Sequence, residues 1–225
     1  MSEGRVPPPP APESALTAAG YEFAGEETAV GFDSRFVTVA VRTRFYDDPA
    51  VAEALPSERA DRAARAFFCT RCHVRPGFDR APVSPASVVG VAANRARGEF
   101  LADLRDFGLR DLDAGPTRRF AFDDCEGCLF EIRADYPVDA TAVIEEATGG
   151  TVEVPVTVLA AVRPWRDTFL MAGAAFPTGS LSAAVDAAVE ADVTTTRSFD
   201  PDPDARAEAV SLVRSLGAGG GRRNR

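Results

Sequence analysis

Between residues 152 and 162 every second residue is apolar: Val152, Val154, Val156, Val158, Ala160 and Val162. A period of two belongs to an extended strand with one face buried, and so long an alternation needs a sheet wide enough to cover it. Pro164-Trp165-Arg166-Asp167 then turns the chain, and residues 168–176 are apolar on both faces, as a central strand requires. Two long strands joined by so short a turn set an antiparallel core, and the rest of the chain has to be assembled around it.

Other segments supply the neighbours. Val37, Val39, Val41 and Phe45 alternate with Thr38, Ala40, Arg42 and Arg44, which predicts a strand, and residues 66–69 predict another running into Cys69. Residues 118–122 and 129–136 read as a hairpin with Phe130, Ile132, Ala134 and Tyr136 on one face. Helical spacing marks residues 13–19, stopped by Gly20; a stretch closing at Phe107-Gly108 through Phe100, Leu101 and Leu104; a helix carrying Leu181, Val185 and Val189; and a last one carrying Ala209, Leu212, Val213 and Leu216. Residues 74–85, with Pro76, Pro82 and Pro85, read as loop. The expected fold class is α+β, a single curved antiparallel sheet with helices packed on one face. The expected organisation is a disordered Pro-rich arm at 1–12, the α+β domain at 13–192, a linker and C-terminal helix at 193–216, and a disordered tail at 217–225.

The order of elements carries a resemblance. A short helix ending Gly20-Tyr21-Glu22, a long strand, a Pro-rich loop, a helix closing at Phe107-Gly108-Leu109 and a strand reading Phe169-Leu170-Met171-Ala172-Gly173-Ala174-Ala175-Phe176-Pro177 resemble a haloarchaeal family of small uncharacterised proteins over roughly residues 12–190. That resemblance implies a PsbP-like α+β sandwich, often in an exported lipoprotein, and no activity. The chain departs from the pattern in lacking a lipoprotein signal and in carrying two CxxC pairs.

Charge limits the partners. All 25 basic residues are arginine, against 34 Asp and Glu, for a net charge of −9 and a pI near 4.8. Nucleic acid and anionic membrane both demand a basic field, so neither is expected as a partner. An acidic, lysine-free composition is instead what a halophilic protein uses to stay hydrated in high salt. No apolar run approaches the roughly 20 residues of a membrane span, and the N-terminus has no signal-peptide core. The expected location is therefore the cytoplasm, where thiols stay reduced.

In that compartment the four cysteines are the feature with chemistry in it. Cys69-Thr70-Arg71-Cys72 and Cys125-Glu126-Gly127-Cys128 have the same spacing, and residues 73–124, 52 in number, lie between them. Two CxxC turns at strand ends, brought side by side, would supply the four thiolates of a closed tetrahedral zinc site. Metal ligands expected on this reading are Cys69, Cys72, Cys125 and Cys128, with zinc as the cofactor. Iron on the same ligands, disulfides or a redox pair, and unligated thiols are the competing readings. Cys69-Thr70-Arg71-Cys72-His73 also matches a haem-attachment pattern, which the missing export signal disfavours.

His73 is the single histidine and reads as a neighbour of the site or a substitute ligand. Its isolation leaves no nucleophile motif beside it, and the chain has no Walker loop, GxGxxG after a strand or HExxH, so no catalytic residues are assigned. The acidic pairs Asp123-Asp124 and Glu145-Glu146 read as solvated faces. Trp165 reads either as an exposed contact or as the cap of a core. The functional expectation is a non-enzymatic module with a structural zinc site, binding or scaffolding an unknown protein partner. The alternative is a thiol-based redox or metal-responsive protein.

Overall fold

The alternating run forms β7 (Thr151–Trp165), paired with β8 (Thr168–Pro177) from Val156↔Pro177 to Trp165↔Thr168. In the computed structural model, which describes residues 6–35, 37–78, 83–189 and 193–217, these strands lie inside one open antiparallel sheet. The others are β1 (Glu22–Asp33), β2 (Thr38–Asp47), β3 (Ala66–Arg75), β4 (Arg110–Ala114), β5 (Arg118–Ala121) and β6 (Glu126–Asp139). Across the sheet the order is β1-β2-β3-β8-β7-β6-β4, and β5 also pairs with β6. The helices among the described residues are α1 (Glu13–Ala18), α2 (Pro49–Ala54), α3 (Pro85–Asp106), α4 (Ala140–Val143), α5 (Leu181–Ala188) and α6 (Ala205–Arg214). The class is α+β with a single antiparallel sheet, as the patterning requires.

Burial along β7 explains where the helices go. Val152, Val154 and Val156 are buried while Pro155 is exposed, so this end of the strand hides one face. There Leu181 and Val185 of α5 pack in one apolar cluster with Val152, Val154 and Val156. From Val156 to Arg163 every residue is buried. Val158, Ala160 and Val162 face Ala93, Phe100 and Leu104 of α3, whereas Leu159 and Ala161 join Ala209, Leu212 and Val213 of α6 and Leu16 of α1. Thus α3 and α5 lie along one face, and α6 with α1 closes the other. Each large aliphatic side chain so buried contributes about 1.5–3 kcal/mol.

Two local signals extend elements past their expected ends. Ser84 accepts from Ser87 N and Ser87 Oγ accepts from Ser84 N, a capping box, with Pro85 in the first turn. That start signal begins α3 at Pro85, fifteen residues before Phe100, the first of the apolar positions that mark the helix in the sequence. Strand β3 likewise continues through Cys72 to Arg75, held in register with β2 from Ala66↔Asp47 to Arg75↔Thr38. Its pairing with β8 stops at Arg71↔Leu170, so β1, β2 and the end of β3 project beyond β8 as a three-stranded arm. Residues 6–12 are packed against the domain: Val6 is buried, and its carbonyl accepts from Arg42 at 2.9 Å. The expected disorder of residues 1–5 and 218–225 concerns positions outside the described residues.

Arg65 on the sheet side of α1 and α6 ties the pieces together. Its guanidinium donates to Asp48, which caps α2, to Glu208 of α6 and to the Ala19 carbonyl, and it lies 4.6 Å from the Tyr21 ring centroid. No helix among the described residues is long and apolar enough to cross a membrane.

Candidate functional site

The cysteines come first because the sequence singles them out. Successive strand residues point to opposite faces, so two positions three apart in a strand cannot share one. Cys69 is buried with Phe67, Ala172 and Leu212 on the α6 face, while Cys72 packs with Val74 and Phe169 on the α3 face. The second pair divides in the same way. Cys125 sits in the β5–β6 turn against the α6-side cluster, and Cys128 on β6 belongs to the α3-side cluster.

The pairs are also remote from each other. The register runs from Cys69 through Ala172 and Ala161 to Leu129, three strand spacings at about 4.8 Å each, or about 14 Å. A tetrahedral thiolate site needs all four sulfurs about 2.3 Å from one point. These four do not fit such an ion: the CxxC segments, expected as adjacent turns, are mostly strand, and they divide their sulfurs between two faces. All four thiols are free, and among the described residues no three His, Cys, Asp or Glu side chains are grouped to hold a metal. Burial pushes the Cys69 and Cys72 thiols up to about 12. Burial also raises Cys125, where Arg163 opposes it, and Cys128, where Arg119 does. His73, on β3 opposite Ala40, lies on the face opposite Cys72.

A different cluster forms at the outer end of the α6 face. Trp165 closes the β7–β8 hairpin, half-buried, with the backbone of Gly217 beside its indole: a Cβ there would stand 3.4 Å from Nε1. Arg166, at φ 56° in the tight turn, places its guanidinium carbon 4.5 Å from the indole centroid. Arg71, reaching from β3, places its own at 4.7 Å. Alternation along β3 puts His73 and Arg75 on the same face as Arg71. Trp165 therefore combines both sequence readings, with part of its surface on the core and part under arginine.

Most of the other stacked arginines are balanced by a carboxylate, whereas Arg71, like Arg214 over Phe120, forms no ion pair among the described residues. Arg65 over Tyr21 pairs with Asp48 and Glu208, Arg163 over Phe122 pairs with Asp124, and Arg62 over Phe45 lies 3.8 Å from Asp47. Arg42, beside Arg71 in the β2–β3 register, is committed to Glu26 and the Val6 carbonyl. No carboxylate among the described residues forms an ion pair with Arg71. Burial and then the neighbouring Arg166 cation lower its pKa from the usual arginine range, and Asp167 only partly offsets them. An arginine held beside another without an ion-pair partner attracts an anion.

Two other surfaces are weaker candidates. A concavity of ≈ 260 Å³ beside β4 and β5 is lined by Asp113, Arg118, Glu131 and Arg133, but Arg133 pairs with Asp113 at 2.9 Å and Arg206 holds Glu131 at 2.7 Å. Its charges already satisfy one another. The edge strand β1 exposes Phe23 and Val30, yet it carries Glu22, Glu26, Glu27 and Asp33 and breaks register twice, which hinders strand addition.

Fold and site together define a single-sheet α+β domain whose outer α6-side surface carries Trp165 under two arginines. The chain belongs to the family described as "Domain of unknown function (DUF6517)", whose model matches residues 8–217. Neither a curated protein nor a solved structure matches it.

Proposed function

We propose that this chain is a non-catalytic protein-binding module whose contact face is the outer end of the α6-side sheet surface, centred on Trp165. The observation that carries this reading is the pair of guanidinium groups, Arg71 and Arg166, held over one half-exposed indole, with Arg71 unpaired among the described residues. Tryptophan and arginine are the side chains that most often anchor protein interfaces, because they combine a large apolar area with fixed donors. A rigid sheet presents them here, so little order has to be gained on binding. The module needs no metal, and its four separated thiols suit the reducing cytoplasm proposed as its location.

The test is site-directed photo-crosslinking of the full chain in extract of its own cells. A benzoylphenylalanine at position 166 should give discrete crosslinked proteins, identified by mass spectrometry, that a probe at the exposed Val30 on the edge strand β1 does not give. Adding Arg71→Ala should remove them. Identical products from both positions, or products indifferent to Arg71→Ala, would refute the assignment.

A further inference from the structure

We infer that the Arg71–Trp165–Arg166 cluster binds a carboxylate of an acidic peptide segment, Asp- or Glu-rich, on the protein partner. This rests on the contact face proposed above and adds its chemistry. A guanidinium held over an aromatic ring keeps its N–H edge available, and a planar carboxylate can meet that edge with two parallel hydrogen bonds. Arg71 has its stacking partner and, among the described residues, no ion-pair partner, so the missing component is an anion. Arg166 stands close enough to lower the pKa of Arg71, Asp167 offsets this only in part, and an anion seated on Arg71 would relieve the remaining repulsion.

Scale selects the kind of anion. The neighbouring cations Arg42 and Arg163 are already neutralised by Glu26 and Asp124. The cluster therefore offers a contact for one carboxylate, at Arg71, and not a basic track. Nucleic-acid binding draws its affinity from many phosphate contacts, and an anionic bilayer would face much of a chain that carries −9. A short acidic segment can reach the cluster while the rest of its protein stays clear of that field.

Trp165 is the one tryptophan in the chain, so its emission reports this site alone. Acetylated hexaglutamate amide should change that emission saturably at about 0.15 M KCl, where repulsion beyond about 8 Å is screened. In parallel, the anisotropy of the fluorescein-labelled peptide should show that Arg71→Gln, which keeps a polar side chain without the charge, weakens binding at least about tenfold. Arg71→Lys should fail to restore it, since an ammonium cannot form the two-point contact. Arg118→Gln, on β5, should bind as the parent does. Far-UV circular dichroism of each variant has to match the parent.

Inorganic phosphate, an oligothymidylate and phosphatidylglycerol vesicles form the comparison arms. Binding of any of these through Arg71 with none of hexaglutamate would overturn the acidic-peptide assignment. Hexaglutamate binding that is indifferent to Arg71→Gln would overturn it as well. If position 166 still crosslinks discrete proteins in either case, the contact face stands and the ligand chemistry alone falls.

Discussion

Replacing Cys69 and Cys125 separately by serine tests the cysteine geometry most directly. Cys69 is 0% exposed and packed among Tyr46, Phe67 and Ala172. A serine there buries a hydroxyl where the surroundings are apolar, which costs about 1–3 kcal/mol. Cys125 lies half-exposed in the β5–β6 turn, with Sγ 3.9 Å from the Pro164 carbonyl. A serine hydroxyl at that position reaches water or the same carbonyl, so the expected change is within about 0.5 kcal/mol. Urea unfolding followed by circular dichroism reads both as shifts of midpoint at constant slope. The same titration repeated with a chelator should leave the parent curve in place.

A four-thiolate ion makes the opposite forecast. Each of Cys69, Cys72, Cys125 and Cys128 would then contribute directly to folding through the metal, so Cys125→Ser would cost several kcal/mol and the chelator would lower the midpoint. Equal losses at Cys69 and Cys125 together with a chelator-sensitive parent would refute the two-face arrangement derived from the register.

Three further outcomes follow from the packing. Gly173→Ala places a Cβ 2.4 Å from Phe68 Cε1 and 2.6 Å from the Leu159 carbonyl oxygen, so it should destabilise by about 3 kcal/mol in the same urea assay, with a neutral result excluding the β7–β8 spacing. Arg163→Met removes the buried donor to the Leu216 carbonyl at 2.7 Å and to Asp124 at 2.6 Å; hydrogen exchange should rise in α6 first, and uniform protection would contradict that anchoring role. Arg206 of α6 holds the Glu131 carboxyl below its usual value of 4.5, so its contribution is present above pH 4.5 and is lost as pH falls through the lowered folded-state value. Glu131→Gln should therefore reduce the acid sensitivity of stability by an amount under about 1 kcal/mol, because the pair is partly exposed, and an unchanged pH profile would remove Glu131 from that account.

Much of the fold was legible because periodicity is local. Val152 to Val162 defined β7, the Val39–Val41–Phe45 alternation defined β2, and Leu212 with Val213 marked α6, each from residues within one element. The site was not legible for the converse reason. Arg71 meets Trp165 only because β3 lies beside β8 and β8 beside β7, and strand order is a property of the whole sheet. The CxxC spacing misled through the same gap. Two cysteines three apart can converge on an ion when the chain turns between them and cannot when it runs straight, and Ala66-Phe67-Phe68 followed by Val74 gave no sign that the strand would continue. Its continuation depends on β2, which offers a partner as far as Thr38.

The net charge hides the local balance for a related reason. A total of −9 sums over the chain, whereas an anion responds to the groups within about a Debye length. Along the α6 face Glu13 and Glu26 are used on Arg44 and Arg42, Glu208 and Asp48 on Arg65, and Asp124 on Arg163. Each of those carboxylates neutralises an arginine that fastens two elements together, so of the chain's excess negative charge only Asp167 acts appreciably on Arg71. At Arg71 the fastening is done by the Trp165 ring, which carries no net charge, so that only the field of Asp167 partly compensates the guanidinium. An acidic protein can in this way keep a cationic contact point, provided an aromatic ring takes the structural place that a carboxylate fills elsewhere.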